Sequence, residues 1–112
     1  MPDLEGTGPE TPLGGKRRPR DDRLRSEDNK MNRIGPRVKS RRQELGLTQS
    51  ALHGRLAHLT GGRWNPERQT ALDIERGRRS VLDTELVVLA LALECSVLWL
   101  LGLAEEESVV TR

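Results

Sequence analysis

The segment Leu47–Gly77 reads LTQSALHGRLAHLTGGRWNPERQTALDIERG, and it decides the fold because it holds two short helices joined by a glycine-rich turn. Thr48 can accept a hydrogen bond from an orphan backbone N–H and so cap the first helix. Leu47 before it can staple onto Leu52. Leu52, Leu56 and Leu59 recur at helical spacing and predict one apolar stripe. Gly61 and Gly62 then stop the helix, since glycine takes a left-handed cap without steric cost. The second helix is expected to open at Asn65-Pro66, a capping side chain followed by proline at the first helical position, and to close at Gly77. Ala71 and Ile74 should face inward, leaving Arg68, Gln69, Leu72, Asp73 and Arg76 on the other sides. Helices this short cannot bury enough apolar surface alone, so further helices must pack on them.

Upstream, the pattern predicts a helix from Ile34 to Leu45, ended by Gly46, with Ile34, Val38 and Leu45 facing the core. Downstream, Asp83 is expected to cap a fourth helix that continues through Thr84–Leu93, and a short fifth covers Val97–Leu101. A chain of 112 residues allows one small domain plus tails. With 34% hydrophobic residues and neither Phe nor Tyr, its core must be small and aliphatic, which a helical bundle builds most economically. The expected architecture is all-α, a compact five-helix domain over residues 31–103. Residues 1–30 are Pro/Gly-rich and charged in both signs, and read as a disordered tail. Residues 104–112, with Glu105-Glu106-Glu107, read as a short acidic tail.

Charge is distributed unevenly. Asn32–Arg79 carries eleven Lys/Arg against four Asp/Glu, a formal +7, whereas Ser80–Leu103 carries no Lys/Arg and three Asp/Glu, a formal −3. A basic half beside an acidic one is a footprint suited to a polyanion. The basic cluster Lys16-Arg17-Arg18-Pro19-Arg20 reads as a solvated tail rather than a DNA-touching arm, because Asp21 and Asp22 cancel much of its attraction. Cys95 is the single cysteine and has Val97 and Leu98 as neighbours, so it reads as a buried structural thiol. The N-terminus lacks the charged and then apolar run of a signal peptide, and the longest apolar run, Leu86–Leu93, is too short to span a bilayer. A cytoplasmic protein without membrane partners is expected. His53 and His58 are five apart and diverge around a helix, so they cannot chelate one metal, and no Cys/His cluster suggests zinc. No nucleophile–base pair, paired-carboxylate motif or phosphate-cradling glycine loop is visible, so neither catalysis nor a cofactor is expected.

Arg37–Gln49 (RVKSRRQELGLTQ), Ile74-Glu75-Arg76-Gly77 and Cys95–Gly102 (CSVLWLLG), in this order, resemble the lambdoid phage-repressor or Cro type of helix-turn-helix domain, the XRE family. The resemblance spans roughly two-thirds of the chain, from about Asn32 to Leu103. The stretch between the two central helices is several residues longer than the family's compact form. It is similar to a subgroup with an extended second helix and a Gly-Trp-like turn, here Arg63-Trp64-Asn65.

The resemblance implies a recognition helix at Asn65–Arg76 whose N-terminal part enters the major groove of double-stranded DNA. Arg68 could then pair with a guanine and Gln69 with an adenine. Asp73 could accept from a cytosine amine or merely sit near the rim, and Glu67 would repel phosphate. Thr48 and Gln49 match the backbone-binding helix start, and Arg37, Lys39, Arg41, Arg42, Arg76, Arg78 and Arg79 are further phosphate candidates. In the resembling repressors the residues matching Arg42 and Glu75 form a partly buried ion pair between the first helix and the end of the recognition helix. Trp64 is expected to plug the core at the turn, and Trp99 to pack in the core as in the family's W-L-L pattern.

The run Leu86–Leu93 is apolar all round. Leu86, Leu89, Ala90 and Leu93 suit a core-facing side, which leaves Val87, Leu91 and Leu98 either enclosed within the domain or exposed at a two-fold homodimer interface. The dimer is the preferred reading. The expected function is a sequence-specific DNA-binding transcriptional regulator, a repressor occupying its operator. The rival is a protein-interaction module, antitoxin-like, binding a partner through the fourth and fifth helices.

Overall fold

The computed structural model describes residues 23–105, and the basic cluster Lys16–Arg20 and the chain beyond Glu105 lie outside them. Five helices follow in order: α1 (Gly35–Glu44), α2 (Gln49–Leu59), α3 (Arg68–Glu75), α4 (Asp83–Ala92) and α5 (Val97–Leu100). Among the described residues there is no strand, and no helix is long and apolar enough to cross a membrane. α3 lies against α1 and α2, α2 also packs on α4, and α4 on α5. Ile34, Val38, Leu52, Leu56, Ile74, Leu89, Leu93, Cys95, Trp99 and Leu100 are buried together at the centre, with Trp64 and Leu45 packed against them. The compact five-helix body is the one expected; several boundaries differ, each for a local reason.

α2 starts as its chemistry dictates: Thr48 Oγ1 accepts from the Ala51 N–H at 3.0 Å. Its buried stripe is Leu52, Leu56 and Thr60, spaced by four, and not Leu59, which is 48% exposed. Thr60 can occupy that buried place because its hydroxyl donates to the Leu56 carbonyl at 2.9 Å and accepts from the Trp64 N–H at 2.9 Å. Gly61 and Gly62 both take positive φ, and the Gly62 N–H returns to the Ala57 carbonyl at 2.8 Å, closing the helix end.

α3 begins at Arg68, two residues later than the expected Pro66, and Glu67 rather than Asn65 is its extended N-cap. The expected Asn65 cap is not made because that side chain is engaged elsewhere. Asn65 Oδ1 is bonded to His53 Nε2 at 2.6 Å, and Pro66 is buried. α4 likewise has Leu82 as N-cap, with Asp83 the first helical residue; Glu85 does the capping, accepting from the Leu82 N–H at 3.0 Å. α5 is capped by Ser96, whose hydroxyl accepts from the Trp99 N–H. The tail expected through residue 30 also ends sooner. Ser26–Lys30 close a hydrogen-bonded turn, and the Met31 N–H donates to the Gly77 carbonyl at 2.8 Å.

The start of α1 is set by a residue that the sequence does not advertise. Asn32 Oδ1 accepts from the N–H groups of Ile34 and Gly35, while its amide donates to the carbonyls of Ile74 and Arg79. One side chain thereby caps α1 and ties it to the end of α3. At that crossing the backbones nearly touch: a Cβ built on Gly35 would lie 2.5 Å from the Glu75 carbonyl oxygen. Gly35→Ala should therefore cost about 1–3 kcal/mol of folding stability despite alanine's better helix propensity. Urea unfolding of the variant checks this, and an unchanged midpoint would mean that the two backbones are not so close.

Candidate nucleic-acid interface

α3 presents two unlike sides. Ala71, Ile74 and Glu75 are buried against the bundle, while Arg68, Gln69 and Arg76 are exposed. At about 100° per residue, Gln69, Asp73 and Arg76 fall within roughly 60° of one another on the outward side, and Arg68 flanks them with Leu72. No described segment covers the exposed residues of this stripe.

What holds the helix in place is at its C-terminal end. Arg42 and Glu75 meet through two bonds, Nε to Oε2 at 2.5 Å and Nη2 to Oε1 at 3.1 Å, with their side chains 10% and 2% exposed. Arg42 Nη1 donates to the Leu47 carbonyl at 2.8 Å, and Gln49 Nε2 approaches Glu75 Oε1 at 3.4 Å. The end of α1, the start of α2 and the end of α3 thus share one polar knot. Gln49 is half-buried in it, while Thr48 stays exposed with its hydroxyl spent on capping.

The stripe is internally bonded as well. Gln69 Nε2 donates to Asp73 Oδ1 at 2.9 Å, and Arg78 Nε lies 3.4 Å from the same carboxylate oxygen. One carboxylate oxygen of Asp73 is therefore shared by two neighbours in the free protein, which suits a role in positioning Gln69. The second amide hydrogen and the carbonyl oxygen of Gln69 remain available, the pair of groups a bidentate contact to adenine uses.

Several of the expected phosphate contacts, and two further arginines, Arg55 and Arg63, have other work. Arg41 donates to the carbonyls of Leu93 and Glu94, and Arg55 to that of Ala92, so two guanidiniums satisfy the C-terminal end of α4. Arg37 lies 4.8 Å from the Trp99 ring centroid and donates to its carbonyl. Arg79 pairs with Glu85 at 3.2 Å, and Arg63 donates to the Thr60 carbonyl. Of the eleven cations between Asn32 and Arg79, four have side chains without a hydrogen-bond or ion-pair partner among the described residues: Arg33, Lys39, Arg68 and Arg76. Arg68 opens α3, and Arg76 is its C-cap. Arg33 went unnoticed because it precedes every helical pattern.

The apolar side of the molecule is distinct. Val87, Leu91 and Leu98 are 50%, 57% and 54% exposed, so they are not enclosed within the five helices. Cys95 is buried in the core, and no group of three His, Cys, Asp or Glu gathers among the described residues.

Removing the Glu75 carboxylate would strand Arg42 in a nearly dry position. Glu75→Ala should lose about 3–5 kcal/mol of stability, and Arg42→Met combined with it should recover part of that loss. Thermal melts of the single and double variants test this; additive losses would mean the pair is not coupled. Comparison of the chain with protein-family models, with curated proteins and with solved structures finds no match.

Proposed function

We propose that this chain is a sequence-specific double-stranded-DNA-binding regulator of the lambda-repressor-like helix-turn-helix type, a repressor acting by operator occupancy. The observation that supports it most is the two-sided α3: its inner side is locked into the bundle while its outer side offers Arg68, Gln69 and Arg76 to solvent. An eight-residue helix buried along one side and polar along the other has the dimensions and chemistry to lie in a major groove. Arg68 and Gln69 occupy its first turn and are the base-reading residues; Asp73 orients Gln69. Arg76 and Arg78, with the start of α2 at Thr48 and Gln49, fix the helix on phosphates. Arg42 and Arg79 are structural in this reading.

The exposed Val87, Leu91 and Leu98 support a two-fold homodimer, which would match a pseudo-palindromic site with half-sites one helical turn apart. The same exposed side chains support the rival reading, in which a different protein docks there and the helix-turn-helix is a scaffold.

Selection from random duplexes at two salt concentrations tests the function directly. A defined site with a steep salt dependence is the expected outcome; no enrichment at either concentration would sink the reading. On the selected site Arg68→Ala should cost about 1–3 kcal/mol and relax preference at one base pair, and an equal loss on all sequences would make it a phosphate contact. Leu91→Glu should remain folded, since Leu91 is more than half exposed, and should convert a dimer to a monomer in sedimentation. A wild-type chain that already sediments as a monomer would remove the dimer.

A further inference from the structure

We infer that the trough between the N-terminal strap, residues 26–33, and the C-terminal end of α3 is a second contact to the DNA backbone, with Arg33 and Arg76 as the groups that receive a phosphate. This inference rests on the DNA-binding reading above and adds a subsite to it.

The strap is a defined element. The Ser26 N–H donates to the Lys30 carbonyl at 2.8 Å, the Lys30 N–H to Ser26 Oγ at 3.0 Å, and Asn29 takes the left-handed φ of 64° that closes the turn. It is attached to α3 and not merely near it. The Met31 N–H donates to the Gly77 carbonyl, and Asn32 holds the carbonyls of Ile74 and Arg79. The Lys30 side chain lies so close to Gly77 that a Cβ built there would be 2.9 Å from the Lys30 Cβ. Strap and helix end are therefore positioned by the same bonds that position the recognition stripe.

Between them is an open trough of about 1060 Å³, lined among others by Lys30, Arg33, Arg76 and Arg78. Arg33 and Arg76 are exposed and have no side-chain partner among the described residues. A guanidinium without a carboxylate beside a cavity is a ready partner for a phosphodiester, because its planar fork matches two phosphate oxygens. Glu27 and Asp28 also line the trough, so the arginines and Lys30 meet opposing charge there. Glu75 lines it too, but its charge is already met by Arg42. Arg76 belongs both to this wall and to the outward side of α3, so the trough adjoins the stripe on which the proposed duplex sits. An open trough suits a continuous backbone better than a small molecule, which needs most of its surface enclosed.

The test uses the full chain and the duplex chosen by selection, with anisotropy titrations over a range of salt. Arg33→Ala should weaken binding by the same factor on specific and unrelated duplexes, reduce the salt slope by about 0.9, and leave base preference unchanged. Arg33→Lys should restore most of the slope, and the melting temperature of both variants should match the wild type because the Arg33 side chain is exposed and makes no hydrogen bond or ion pair among the described residues. Duplex binding with a wild-type slope in Arg33→Ala would overturn the subsite while leaving the regulator intact. A shift in preference at one base pair would also overturn it, since Arg33 would then read a base. A wild-type chain that ignores all duplexes overturns both.

Discussion

The ion pair between Arg42 and Glu75 is the constraint on which the rest of the structure depends. Each charge has given up most of its water, and that desolvation costs several kcal/mol per ion before the pair attracts. The geometry offsets the cost only because every polar atom is used: two parallel bonds join the guanidinium to the carboxylate, and the remaining nitrogen satisfies the Leu47 carbonyl between α1 and α2. An apolar contact at this place would tolerate sliding, whereas a planar fork on a carboxylate does not. The pair therefore specifies how α3 lies across α1. Asn32 and Gly35 finish the job at the other end of α1, one by hydrogen bonds and the other by having no side chain to obstruct the crossing.

Arginine takes over tasks that larger apolar groups perform in other small domains. With no Phe or Tyr, and leucine, isoleucine, valine and alanine supplying most of the core, the ends of the helices are secured by long cationic side chains. Arg41 and Arg55 reach the C-terminal carbonyls of α4, where the helix dipole is negative. They meet a chain reversal made through Glu94, which holds a left-handed φ of 54° where glycine is the usual residue. Arg37 stacks on Trp99. These bonds leave the guanidiniums charged, so the formal +7 of the Asn32–Arg79 half still stands. What they remove is the freedom to reach a ligand, which Arg33, Arg68, Arg76 and Lys39 keep.

The same economy separates two surfaces. The unpartnered arginines gather around α3 and the strap, whereas the exposed Val87 and Leu91 stand on α4, in a half of the chain that carries no Lys or Arg at all from Ser80 to Leu103. The cations nearest to it, Arg41 and Arg55, are bonded to the carbonyls that end α4.

Local chemistry alone determined the number of helices, their order and most of their inner sides. Thr48 caps, Gly46 and Gly61-Gly62 stop, and leucine spacing orients, all through interactions within a few residues. It failed where a side chain had a competing partner, whether a few residues away or far along the chain. Asn65 has the chemistry of a cap but spends its oxygen on His53, twelve residues away, so α3 starts late. Leu59 has the spacing of a core residue, but Thr60 takes the buried place because Trp64 supplies it with a partner. Asn32 and Gly35 look unremarkable until the end of α3 arrives against them, some forty residues later in sequence. Which arginines remain open to a ligand was likewise invisible in the sequence. That depends on where backbone carbonyls of distant helices end, and only packing the five helices together brings those carbonyls within reach of one guanidinium and not of another.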